Sequence, residues 1–250
     1  MHIHQTTLDL KHGQTPVEVR VNRRAKRLIL KVDTVRGRAV VTAPSKRAIP
    51  EALAFARSRG LWITEQLNQS IRGRPFSPGA LCPYRGASHR IVNHGAPRAR
   101  IKVTEPAQEG TIGPNDTIGE ITVGGEPAHV NRRLTDWLKR ESRKHLTEKV
   151  DFYASQLARR RGPISIRDTR SRWGSCASDG ALSFSWRLIL APPWVLNYVA
   201  AHECAHLVHL NHSPAYWQVL RSLDVDVDGA KRWFHQHGEE LHAYGVAAAN

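Results

Sequence analysis

The sequence predicts an α+β protein, with a β-rich, antiparallel N-terminal region over residues 1–128 and a second domain over 129–250. That second domain is expected to hold a small sheet and one buried helix. Three observations predict this. Residues 3–43 alternate apolar and polar in short runs, the period of half-buried strands. Near residue 128 the apolar spacing changes to threes and fours, the period of helices. Residues 195–210 are an apolar run broken in the middle by His202-Glu203-Cys204-Ala205-His206.

The first region reads as a meander of strands at 3–10, 17–21, 28–32 and 39–42, punctuated by Gly13, Asn22 and Gly37. Pro44-Ser45-Lys46 closes it. Apolar residues at helical spacing over 49–67 predict one helix, bent or broken near Gly60. Residues 73–86 are rich in Gly and Pro and read as a connection. Short strands are expected at 89–93, 100–103 and 118–123, with turns at Gly95, at 110–115 and at Gly124-Gly125.

Val130, Leu134, Trp137, Leu138, Leu146, Val150, Tyr153 and Leu157 mark one face of a long amphipathic helix, ended by Arg159-Arg160-Arg161-Gly162-Pro163. Strands follow at 164–168 and 181–186, joined by a loop over 169–180. Pro192-Pro193 opens the motif-bearing helix, as suits proline in a first turn. A short helix is expected at 214–223 and a final amphipathic one at 230–244. Asp224, Asp226 and Asp228 imitate the start of a calcium loop, but position twelve is His235 in place of Glu, which excludes calcium there. No internal repeat is visible.

Two histidines four apart on a helix converge on one side of it, close enough to share one ion, typically zinc. The Glu between them stands where it can take a proton from a metal-bound water. Left uncompensated in an apolar helix, these polar groups would cost several kcal/mol. His212, in Asn211-His212-Ser213-Pro214, is placed to return over the same ion if Asn211 ends the helix in a left-handed conformation and Ser-Pro caps the next. His209 competes for the third position, but a continuing helix would carry it too far along the axis. Three protein ligands leave a fourth position open, the pattern of a catalytic site. The spacing is also that of metzincins, yet their Gly is His209 here, and the only Met is Met1, so no Met-turn follows.

The net charge is +15. Residues 1–60 carry thirteen Lys/Arg against four Asp/Glu, so weak nonspecific nucleic-acid binding through the basic N-terminal region is one expectation. A plain solvated strand face is the other, since no aromatic residues interleave with these charges to stack on bases. No apolar run is long enough to span a membrane. The N-terminus has no secretory pattern, and three widely spaced cysteines argue against a disulfide framework; together these predict a cytoplasmic protein. Cys204 reads as a small buried hydrophobe.

Arg172-Trp173-Gly174-Ser175-Cys176, then Gly180, Leu182, Phe184, Trp186-Arg187-Leu188 and Ala191-Pro192 precede the histidine motif, and Asn211-His212-Ser213-Pro214 with Tyr216-Trp217 follows it. This series resembles the YgjP-like metallopeptidases, zinc hydrolases related to SprT-like proteases and minimal gluzincins. The resemblance is strong over 129–250 and looser towards the N-terminus. It implies a zincin-like catalytic domain with an active-site helix, a Zn2+ cofactor held by His202, His206 and His212, Glu203 as catalytic base, and a peptide or protein substrate. Strand 181–186 is the expected edge strand for the substrate backbone. Arg172, Gly174, Ser175 and Tyr216 are expected substrate contacts, with Arg172, Tyr216 or His209 as oxyanion stabiliser. Two alternatives stay open: a DNA-associated SprT-like protease, and an amidohydrolase acting on a non-peptide substrate.

Overall fold

A computed structural model describes residues 2–10, 13–33, 36–68, 73–95, 99–106, 118–169 and 172–246. It is a mixed α+β fold with three small sheets and six α-helices among the described residues. The chain divides into two compact units, Met1–Pro75 and Phe76–Gly245, each with its own apolar core.

In the first unit, β1 (His2–Leu10) and β2 (Gly13–Val21) form a hairpin. β3 (Ile29–Asp33) and β4 (Arg38–Ala43) pair antiparallel, but the sheet order is β1-β2-β4-β3. β4 therefore lies parallel to β2, with Val17 opposite Ala39 and Val19 opposite Val41. The expected all-antiparallel meander is corrected here. Alternation fixes which face of a strand is buried, not which strand lies beside it. The parallel register brings the buried residues Val17, Val19, Ala39, Val41 and Ala43 onto one face. α1 (Ile49–Ser58) and α2 (Gly60–Asn68) are separate helices, broken next to Gly60 as expected. Ala52 and Ala56 of α1 are fully buried, and their small side chains let the helix lie close.

The second unit repeats this arrangement. β5 (Leu81–Tyr84), β6 (Ala87–His94), β7 (Lys102–Thr104) and β8 (Gly119–Gly124) are ordered β5-β6-β8-β7. Again the second and fourth strands run parallel and the outer pairs antiparallel. The sequence shows no repeat because only the order and direction of strands recur. β5 falls in the stretch that reads as a Gly/Pro connection; as an edge strand it tolerates Pro83. The turn expected at 110–115 lies outside the described residues. α3 (Val130–Gln156) buries Val130, Leu134, Leu138, Leu146, Val150 and Tyr153 along one stripe. These pack with Cys82, Tyr84, Ile91 and Ile121 from the preceding sheet, so the compositional step near 128 falls inside this unit, where sheet and helix share one core.

The third sheet has the order β10-β11-β9, made of β9 (Ile164–Arg167), β10 (Gly174–Cys176) and β11 (Leu182–Ser185). Strand 181–186, expected at the edge, is the central one. β10 is an edge strand, hidden in the sequence because three residues carry no alternation. α4 (Pro193–Ala205), α5 (Pro214–Ser222) and α6 (Val227–Leu241) complete the unit. The Asp226 carboxylate accepts a hydrogen bond from the Gly229 amide at 2.8 Å, so part of the Asp-rich stretch serves as the cap of α6. No helix among the described residues is long and apolar enough to cross a membrane.

Candidate metal centre

α4 is buried on nearly every face. Ala200, Ala201, Cys204 and Ala205 are fully buried and small, which lets neighbouring elements approach the helix closely. The Cys204 thiol faces the Val150 carbonyl of α3 at 3.7 Å; burial pushes its pKa up to about 12, so it is an inert core residue. His202 and Glu203 sit on the last turn of this helix.

The helix ends earlier than the sequence suggests. Ala205 is its last residue and His206 its C-cap, and Asn211 does not adopt a left-handed conformation. Residues 206–208 turn the chain instead, and the Asn211 side chain accepts from the Ser213 amide at 3.3 Å. Ser213 then caps α5, its hydroxyl accepting from the Tyr216 amide at 3.4 Å. The reversal brings His212 back to the first two histidines. One ligand atom from each of His202, His206 and His212 lies within 4.8 Å of the others.

His202 Nε2 and His212 Nε2 are 3.2 Å apart. Two imidazole nitrogens bound to one tetrahedral ion at 2.0–2.1 Å stand ~3.3 Å apart, so this pair fits. His206 Nδ1–H donates to the His209 carbonyl at 3.0 Å. That bond fixes the tautomer and leaves the Nε2 lone pair for a ligand. The His209 side chain is not among the three that converge; what His209 contributes is this backbone oxygen, which the sequence reading missed. His202 Nδ1 is buried without a hydrogen-bond partner.

Tyr216 supports the cluster. It is fully buried, its hydroxyl donates to the His202 carbonyl at 3.1 Å, and its ring stacks on His206 with centroids 4.5 Å apart. Trp217 stacks on His212 and carries the Lys231 ammonium 4.5 Å above its ring. Burial, and then the neighbouring His206 and His212, lower the pKa of His202 to about 4. Burial also lowers that of His206. Both are therefore neutral at neutral pH, the state that ligates metal.

Glu203 is 5% exposed. Burial pushes its carboxyl up to about 8, opposed by the charge of Arg172. It lies against Gly174 of β10, where a Cβ would meet Glu203 Cγ at 2.7 Å and Cδ at 2.8 Å. Arg172 and Gly174 thus come to the same place as the helix motif, as does Cys176, whose thiol feels the Glu203 charge; Ser175 alternates to the other face of β10, a strand that pairs on one side only among the described residues. Tyr216 comes there too, with its hydroxyl engaged by His202.

The buried carboxyl also sets a pH dependence for the metal-free fold. An unfolded Glu loses its proton near pH ~4.3, whereas folded Glu203 keeps it to about 8. Its contribution to stability is full below the lower value and is lost as pH rises through the upper one. His202 acts in the opposite sense, since its lowered pKa costs stability as pH falls from ~6.5 towards about 4. Thermal melts of metal-free Glu203→Gln should therefore lose less stability than the parent between pH 5 and 8. Parallel profiles would show that the carboxyl does not hold its proton there.

The profile described as "YgjP-like, metallopeptidase domain" matches residues 26–237. No curated protein matches the chain. Among solved structures, the crystal structure of the metallopeptidase zymogen of Pyrococcus abyssi abylysin aligns at 17% identity and a TM-score of 0.34, covering 40% of this chain and 99% of that one. With the family profile spanning most of its length, and a family of metallopeptidases implying a metal ion, this chain belongs to the YgjP-like metallopeptidases.

Proposed function

We propose that the chain is a zinc peptidase in which His202, His206 and His212 hold the ion and Glu203 is the general base. The observation that carries this reading is the convergence of three histidine ligand atoms within 4.8 Å beside a buried glutamate. Three imidazoles suit zinc and leave a position free. When bound, the ion supplies Lewis acidity to the scissile carbonyl and the attacking water. Glu203 takes the proton of that water and passes it to the leaving amine. β10, with one edge unpaired among the described residues, offers that edge to an extended substrate, and Arg172, whose charge already acts on Glu203, offers its charge to the developing oxyanion.

Metal analysis of dialysed protein tests the ligand set. The parent should hold about one zinc per chain, and His206→Ala and His212→Ala should lose most of it. His209→Ala should keep it, because its contact with His206 is made by backbone. Full zinc in His206→Ala, or loss in His209→Ala with retention in His212→Ala, would overturn the assignment. A peptide-library digest by the zinc-loaded protein should yield cleavage products.

A further inference from the structure

We propose that the first compact unit carries a cleft that binds the phosphate backbone of nucleic acid. β2 and β4 are parallel neighbours, and their last pair is Val21 opposite Ala43. At these carboxyl ends opens a cleft of about 1070 Å³, lined by Arg20 from the end of β2, Asn22 and Arg23 from the connection after it, and Ser45, Lys46 and Arg47 from the connection after β4. The crevice beyond the carboxyl ends of adjacent parallel strands is where two loops converge on a common ligand. Here they converge four cations that lie in two separate clusters along the chain.

No carboxylate is among the described residues lining the cleft. Arg20 is shared with the buried Glu18. Arg23, Lys46 and Arg47 are exposed, with no ion pair among the described residues. The turn is held in shape by the Asn22 side chain, which accepts from the Arg24 amide at 3.0 Å, and the Ser45 hydroxyl makes no capping bond that would occupy it. Holding like charges together costs free energy that a bound polyanion recovers. The cleft is far larger than one phosphate group, so it fits a run of them. No aromatic side chain lines it among the described residues, which fits contact with the backbone and no reading of bases.

Fluorescence anisotropy of the full chain with a mixed-sequence duplex of about 20 base pairs tests this between 50 and 200 mM NaCl. Four phosphate contacts give a slope of log K against log salt of about −3.6. The triple variant R23A/K46A/R47A should bind at least tenfold more weakly at 50 mM, with a slope shallower by about three contacts. A control of equal charge change on exposed positions of α3, K139A/R140A/K144A, should stay within about twofold of the parent, and R23K/R47K should keep the slope. Circular dichroism melts check that each variant is folded. Equal weakening by the control would reduce the effect to net charge, and absence of binding by the parent at 50 mM would end the proposal. Loss of binding to vesicles rich in anionic phospholipid, with DNA binding unchanged, would assign the cleft to membranes and overturn it as well. Binding is read without turnover, so the outcome does not depend on peptidase chemistry.

Discussion

Glu203→Gln is expected to hold its zinc and its fold while peptide turnover falls by at least about 10²-fold, the lower end of what general-base catalysis contributes. Gln is nearly isosteric but cannot accept the proton of the attacking water. The substitution is mild for the fold, since Gln fills the same buried space as Glu203 and brings no charge to desolvate. Zinc content, melting temperature and kcat against a library-derived peptide are the three readouts. Near-parental kcat in zinc-loaded Glu203→Gln would remove Glu203 from the reaction. Loss of turnover together with zinc would instead point to a structural role beside His202.

The histidine motif was legible because its spacing is a property of one helix and its immediate turn. The Ser213-Pro214 cap was legible for the same local reason, and so was the amphipathic face of α3. What the sequence concealed is non-local. β4 inserts between β2 and β3, and β8 does the same between β6 and β7; alternation marks each strand without naming its neighbours. The end of α4 at Ala205 was misplaced because Leu207, Val208 and Leu210 continue an apolar pattern past the last helical residue. His206 consequently receives its orienting contact from the His209 carbonyl, a backbone atom that no residue type advertises. The role of β10 was hidden by its length. Its one local signal was Gly174, a glycine between Trp173 and Ser175 within the loop expected over 169–180.

Gly174→Ala should show that this strand positions the base. The demand at Gly174 is one of space, not of backbone conformation, because its φ is not in the left-handed region. A methyl there would lie 2.7 Å from Glu203 Cγ and 2.8 Å from Cδ, well inside contact distance, and α4 is buried on the other faces of Glu203. Either β10 shifts away or the carboxylate swings aside, and misplacing a catalytic group by ~1 Å costs about 10²-fold in rate. The expected result is a kcat lowered by about that factor with zinc still bound, since the three atoms nearest the new methyl all belong to Glu203. Overpacking of this kind also destabilises by about 1–3 kcal/mol, which thermal melts would register. A double-mutant cycle separates positioning of the base from general damage. In a Glu203→Gln background the same Ala substitution should lower kcat little further, because the group it displaces is already silent. An undiminished second loss in that background would mean that β10 acts on the substrate and not on Glu203.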